Sequence, residues 1–313
     1  MSVTPVADAT PGNTGDARGA EGDRGAGDGG QARRRARRLR DFLSIPQAMV
    51  GTVLLALLLA LTIIGPFVAP YPPSAISDTP LLGPSAKHWL GTDTLGRDIF
   101  SRVLNGGGSV ILLPLLAVAA AMIIAIVVGL LSGYLGGWVD AVVTRVVDVV
   151  LAIPSYLLVL VVVTAFGTGS TIVVLTVAVV YAPYIIRVLR AATLTVSPLD
   201  FVLAARARGE GIRWVVFREI LPNIGPTLLV EIALRTTYAI MFIASLSFLG
   251  LGVQPPSSNW GVMVADNRLL LLVHPAGVIA PALLIGVLAI SINLIADALT
   301  EFFGDRLHNQ LMV

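Results

Sequence analysis

The sequence predicts an all-α membrane protein: six transmembrane helices, with a charged cytoplasmic insert between the fourth and the fifth. Three observations predict it. The 313 residues are 56% hydrophobic and only 13% charged, about half the charge of an ordinary soluble domain. The apolar residues gather into runs long enough to cross the ~30 Å hydrocarbon core of a bilayer. The charges gather between those runs, above all in residues 197–222, SPLDFVLAARARGEGIRWVVFREILP, with four arginines, one aspartate and two glutamates.

Taken in order, residues 1–31 are rich in Gly, Ala, Asp and Arg and nearly free of large apolar side chains. Such a segment cannot offset its ordering entropy and reads as disordered. RRRARRLR at 33–40 reads as an orientation signal, compatible with contact to anionic lipid head groups. The first span, 47–69, carries no charge and measures about 35 Å as a helix. It is too long, and starts too far along the chain, for a cleaved signal peptide. In the loop 70–108, Lys87, Arg97 and Arg102 balance Asp78, Asp93 and Asp98, and the glycines at 106–108 read as a plain helix boundary. The second span is 109–133. The third, 141–166, begins with Arg145 and Asp148, three apart and able to pair on one helix face. The fourth is 171–186.

The fifth span, 224–250, carries Glu231 and Arg235 four residues apart in the favourable order. They read as an ion pair within one helix near its cytoplasmic end. A polar element of a translocation path, or of a subunit contact, is the alternative. The loop 251–275 contains PPSSNW, whose Trp260 suits a membrane interface, and the sixth span is 276–296. Pro114, Pro154, Pro183 and Pro281 lie within spans, where proline frees a carbonyl and can kink a helix. The organisation is then a tail over 1–40, a first helix and outer loop over 41–108, a core over 109–304 holding the 197–222 insert, and a tail over 305–313.

Six spans place both termini on one side. The N-terminal arginines and the six at 187, 190, 206, 208, 213 and 218 put that side in the cytoplasm. The chain is thus expected as a multi-pass protein of the cell (inner or plasma) membrane.

Within the insert, Ser197-Pro198-Leu199-Asp200 has the form of a helix start, with Ser197 as cap and Asp200 three residues on. The helix FVLAARAR stops at Gly209 and Gly211, glycine tolerating the positive φ of a C-cap turn. A second helix, IRWVVFREIL, ends at Leu221-Pro222. The small Ala204, Ala205 and Gly209 let another surface approach the backbone, and Arg206, Arg208 and Glu210 beside them offer charged hydrogen bonds. Composition alone leaves open a docking knob or an amphipathic helix lying on the membrane.

The spacing AA-x3-G-x9-E-x-LP from Ala204 to Pro222 resembles the EAA loop of ABC-importer permeases, EAA-x3-G-x9-I-x-LP. Leu203 replaces the family's leading Glu, so a salt bridge from that position loses its basis, and Glu219 replaces its Ile. HWLGTDTLGRDIFSRV (88–103), ASLSFLGLGVQPPSSNWG (244–261) and INLIADALTEFFGDRL (292–307) resemble, in order, blocks of the C-type subunit of dipeptide, oligopeptide and nickel importers. Ile243 stands where the family often has an acid. The resemblance implies a type I ABC-importer permease supplying half of a translocation pathway. Its insert would be a coupling helix docked on an ATPase through Ala204, Ala205, Arg206, Arg208, Gly209 and Glu210, supported by Ser197, Asp200, Leu221 and Pro222. The implied partners are a second homologous permease, two cytosolic ATPase subunits that use ATP and Mg, an extracytoplasmic binding protein and the bilayer, without nucleic acid.

The residues themselves offer no catalytic set. Without cysteine there is no thiolate nucleophile or thiolate metal site. There is no G-x4-G-K-[ST] loop for phosphate and no HExxH. His88, His274 and His308 are scattered over loops and tail. The expectation is a non-catalytic subunit with no cofactor or metal of its own. A secondary transporter driven by an ion gradient would call for inverted repeats and polar residues at mid-membrane, of which the spans hold few.

Overall fold

The structure, a computed structural model, describes residues 40–254 and 257–311, with side chains as far as Phe303. The expected disordered tail, most of the basic run and the side chain of His308 lie outside the described residues. Contacts divide the chain after Ser44, and the helical bundle is built from Ile45 onward.

Among the described residues the fold is entirely helical. The helices are α1 Pro46–Val68, α2 Ile99–Asn105, α3 Gly107–Leu135, α4 Gly137–Ala152, α5 Ser155–Phe166, α6 Ser170–Val196 and α7 Asp200–Ala207. Residues 212–223 form α8, α-helical at its ends and π-helical over Val215–Ile220, followed by α9 Gly225–Phe248, α10 Trp260–Asn267 and α11 Ala276–Leu311. By length and composition five helices can cross a membrane, or six if α4 and α5 make one bent span. One end of the bundle, the insert end, carries residues 197–224. The opposite, loop end carries residues 69–98 and 249–275.

Three spans differ from the apolar runs. The third is not a straight helix over 141–166. Ile153 and Pro154 are extended, and α4 and α5 meet at 84°. Proline both lacks the N–H an uninterrupted helix needs and disfavours helical backbone before it. The fourth helix continues ten residues past 186 because Arg187 and Arg190 reach acids on α4. Arg187 pairs with Asp148 at 2.5 Å, and Arg190 with Asp140. Asp148 therefore does not pair with Arg145. The last helix runs to Leu311, well past 296 and through the expected tail.

The core lies between α3, α6 and α9, with α7 and α8 packed beneath it. Lipid is as apolar as these side chains, so close approach of backbones matters more than hydrophobicity. Cβ atoms at Gly129 and Gly133 would lie 3.1 Å from Ile186 O and 2.8 Å from Thr193 Cβ. A second cluster joins α1, α2, α3, α9, α10 and α11 around Trp260, with Leu58, Ile99, Val103, Ile240 and Leu288. The first helix and the segment before α3 thus share the core of the later helices.

Trp260 is fully buried, not at an interface. Its indole N–H donates to Val103 O at 2.8 Å, and its ring lies against the glycines at 106 and 107. A Cβ at Gly106 would stand 2.2 Å from Ser258 O and 2.5 Å from Trp260 Cδ1. These glycines are a seat for the indole as well as a boundary. Gly106 has helical dihedrals (φ −79°, ψ −14°), where alanine ordinarily adds about 1 kcal/mol of stability. Here Gly106→Ala is expected to lower the thermal midpoint of the detergent-solubilised protein, and an unchanged or raised midpoint would refute the seat.

Candidate functional site: an insert helix, a mid-helix cleft and a buried charge knot

The insert begins where α6 ends. Ser197 keeps helical dihedrals and closes the last turn of α6, its N–H donating to Thr193 O at 2.8 Å. It is not the cap of α7. That position falls to extended Leu199, which makes no side-chain cap. The pattern misled because the preceding helix runs on to Val196 and takes Ser197 into its own terminus. Asp200 is the first residue of α7, where a carboxylate faces the positive end of the helix.

α7 ends on both hydrogen bonds of a Schellman turn. Gly209 N–H donates to Arg206 O at 2.9 Å, and Glu210 N–H to Ala205 O at 3.2 Å. Gly209 holds φ +80° with open space around its α-carbon, so backbone conformation alone selects glycine there. Val202 and Ala205 are fully buried and join Val215, Val216 and Ile220 of α8 in the main core. Ala205 therefore seats α7 on its own chain and presents nothing to a partner.

The outward face carries Leu203, Ala204, Arg206, Ala207 and Arg208, with Leu199, Ile212, Trp214 and Phe217 exposed around it. The arginines are engaged within the chain. Arg206 Nε donates to the Tyr134 hydroxyl at 3.1 Å, its guanidinium 4.3 Å above that ring. Arg208 lies 3.9 Å from Glu210 and 3.7 Å from Glu219. What remains on offer is a small apolar surface centred on Ala204 and rimmed by charge, the composition of an interaction site. Leu221 and Pro222 close α8. The π turn precedes Pro222, whose missing N–H already interrupts the α ladder.

Glu231 and Arg235 do pair, Arg235 Nε donating to Glu231 Oε2 at 2.9 Å. Ten residues, about 15 Å, separate Arg235 from the start of α9, so the pair lies near mid-helix and not at the insert end. Arg235 faces a cleft of about 520 Å³ lined by Ser155, Tyr156, Tyr181, Tyr184, Tyr238, Met241 and Phe242. Its guanidinium carbon is 5.4 Å from the Tyr184 ring centre and 5.8 Å from that of Tyr238. The cleft forms where α4 breaks into α5, and it draws on residues from about 155 to 242. Only the Glu–Arg spacing announced it in the sequence.

At the loop end, Asp93 is fully buried and accepts from Arg97 Nε at 2.7 Å and from Arg102 Nη1. Both arginines also approach Asp266 of α10, at 3.3 and 3.6 Å. Beside them buried His88 Nδ1 lies 2.8 Å from Asp98, whose other oxygen caps α2 through Ser101 N. Outside this knot, the Lys87 ammonium hydrogen-bonded to Asp78 holds that exposed carboxyl below the usual carboxylate range. The balance of charge over 70–108 was legible, but its burial was not. Asp266 is distant in sequence, and hydropathy gives no sign that a loop folds back into a core.

A buried charge stripped of its partner costs about 3–5 kcal/mol. Asp93→Asn, which strands two guanidinium groups, is therefore expected to abolish or severely reduce folded protein. Asp266→Asn should cost less, because its carboxylate is 26% exposed. Thermal unfolding in detergent checks this, and equal losses would refute the ranking.

Two family models match the chain. The model of binding-protein-dependent transport system inner membrane components covers residues 125–309, and that of the N-terminal TM domain of oligopeptide transport permease C covers 34–84. Among similar proteins is the glutathione transport system permease protein GsiD of Pectobacterium atrosepticum. It is 36% identical over 270 residues, 86% of this chain and 90% of that one. The probable D,D-dipeptide transport system permease protein DdpC of Escherichia coli K12 is 39% identical over 263 residues, 83% of this chain and 88% of that one.

Proposed function

The chain belongs to the family of binding-protein-dependent transport system inner membrane components, and on that premise we propose that it serves an ATP-driven importer of small peptides. In this reading it forms half of the translocation pathway beside a second homologous permease. Two cytosolic ATPases bind and hydrolyse ATP with Mg, and an extracytoplasmic protein delivers the solute. The chain itself catalyses nothing and holds no cofactor. Both termini and the insert face the cytoplasm, and the loop end faces outward. Glutathione and D,D-dipeptides, named for two relatives, share a compact peptide with a free carboxylate, and that is the substrate class proposed.

The observation that supports coupling through the insert is the seating of α7. Val202 and Ala205 lock it to α8 while Leu203, Ala204 and Ala207 point away from the chain. A helix so fixed transmits displacement instead of absorbing it. ATP binding in the partner must favour one of two packings of the permease pair through its different contacts with each. A push on α7 is the contact available for that.

The test follows from the exposed face. Ala204→Glu adds a charged chain to that face without entering the core, whereas Ala205→Glu would disrupt the seat itself. In a mild-detergent pull-down, Ala204→Glu is expected to retain the sister permease and to lose the ATPase by about tenfold or more, roughly 1.4 kcal/mol or more of docking energy. Retention of the ATPase at the wild-type level would remove α7 as the docking element.

A further inference from the structure

We propose that the cleft at Arg235 is the station in this half of the pathway that receives the carboxylate of the passing solute. This rests on the permease reading above and names the chemistry of its path. The first support is a stripe along α9. Arg235, Tyr238, Met241, Ser245 and Phe248 recur at intervals of three or four, one face of a helix, and span about 20 Å. Each lines one of three hollows that share members. Tyr156 and Met241 belong to the Arg235 cleft and to the next, and Phe248 and Leu249 belong to the second and to a third beside Asp266 and Arg268. The three hollows therefore follow one another along one face of α9, from the loop end to mid-helix.

The second support is how the cation is presented. Buried Glu231 takes the Nε side of the guanidinium. Arg235 makes no other hydrogen bond among the described residues, so its two Nη groups remain on offer. That fork matches a carboxylate in two parallel hydrogen bonds. The rings of Tyr184 and Tyr238 flank it, both partly exposed, and limit its hydration. Glu231 keeps the site near neutral overall, so an anion is attracted locally and still released, which passage requires. An intramembrane ionisable pair that served structure alone would have no reason to open onto a 520 Å³ cleft.

The chain has no cysteine, so Tyr238→Cys gives a single thiol beside Arg235. In the complete importer, this introduced thiol is modified with anionic and with cationic methanethiosulfonate reagents, and the ratio of rates is read. The expected result is reaction with both reagents, with an anion-to-cation ratio that falls about fivefold when Arg235→Gln and Glu231→Gln are added together. Arg235→Lys alone should keep the ratio, and co-purification of the sister permease certifies folding of each variant. During turnover, a dipeptide with a free carboxylate should slow labelling about threefold or more, as expected for a site occupied during transit, while its C-terminal amide should not. A thiol inert to both reagents, a ratio indifferent to the double substitution, or equal protection by acid and amide would each overturn the proposal. A wild-type importer that fails to move peptides but keeps the charge-dependent ratio would sink the peptide reading of function and support the anion site.

Discussion

The contact on which the rest depends is the close approach of α3 and α6. Within a bilayer, apolar side chains gain nothing by leaving lipid for protein, so two helices stay together through packing at short range. Gly129 and Gly133 let α3 approach the Ile186–Thr193 stretch of α6 to within a Cβ's width. That pairing reaches Thr193, in the last turn of α6, and the end of α6 sets where α7 begins. It also sets Tyr134, at the last turn of α3, under the guanidinium of Arg206, so the insert is tied back to the helix that positions it. The same α6 carries Tyr181 and Tyr184 to the cleft at Arg235. One pair of close-packed helices therefore holds both ends of the functional surface.

Around it the molecule solves a polar problem twice, in opposite ways. At the loop end, Asp93, Arg97, Arg102 and Asp266 pair among themselves in a buried cluster that leaves only Arg102 Nε of its buried side-chain polar atoms without a partner among the described residues. Such a cluster fixes the position of α10 against α2 and leaves no group facing outward except part of Asp266. In the cleft, Glu231 satisfies only one side of Arg235 and leaves the other toward open space. Ion pairs surrounded by low dielectric are costly unless fully matched. The first sets two carboxylates against two guanidinium groups, while the second leaves one side of its guanidinium toward the cleft. The contrast separates a knot closed on itself from a charge open to a cleft.

The sequence reveals this division unevenly. Long apolar runs read directly as helices because a bilayer demands about twenty apolar residues in succession, and Gly209 reads as a helix stop because its role is backbone conformation within three residues. The 84° break at Pro154 was signalled by a proline, but proline also sits inside continuous α3, α6 and α11. Nothing local distinguishes the cases. Asp148 with Arg187, Trp260 with the glycines at 106 and 107, and Ala205 with α8 are contacts set by packing, the second across some 150 residues. Spacing within one helix cannot report them. For the same reason the residues expected to dock divide once the helix is seated: Ala205 turns inward, Arg206 and Arg208 contact their own chain, and Ala204 faces out.

The insert and the cleft are joined by covalent and hydrogen-bonded continuity. α7 rests on the buried face of α8, and α8 runs into α9 with its ladder nearly unbroken, Ile224 N–H reaching Ile220 O and Leu228 N–H reaching Ile224 O. The one soft element in that run is the π segment at Val215–Ile220, wider than an α turn and able to return to it by shifting one residue of register. A displacement of α7 therefore acts at the base of α9, about 15 Å from Arg235. α9 is anchored at its other end by Gly261 of α10, where a Cβ would stand 2.9 Å from Ser247. In the proposed assembly α9, held at that end and displaced at the other, would respond by turning, and a modest turn about its axis would carry the stripe from Arg235 to Phe248 toward or away from the sister permease. In the proposed importer, docking on α7 would by this route alter how the cleft presents its cation, through helices already in contact.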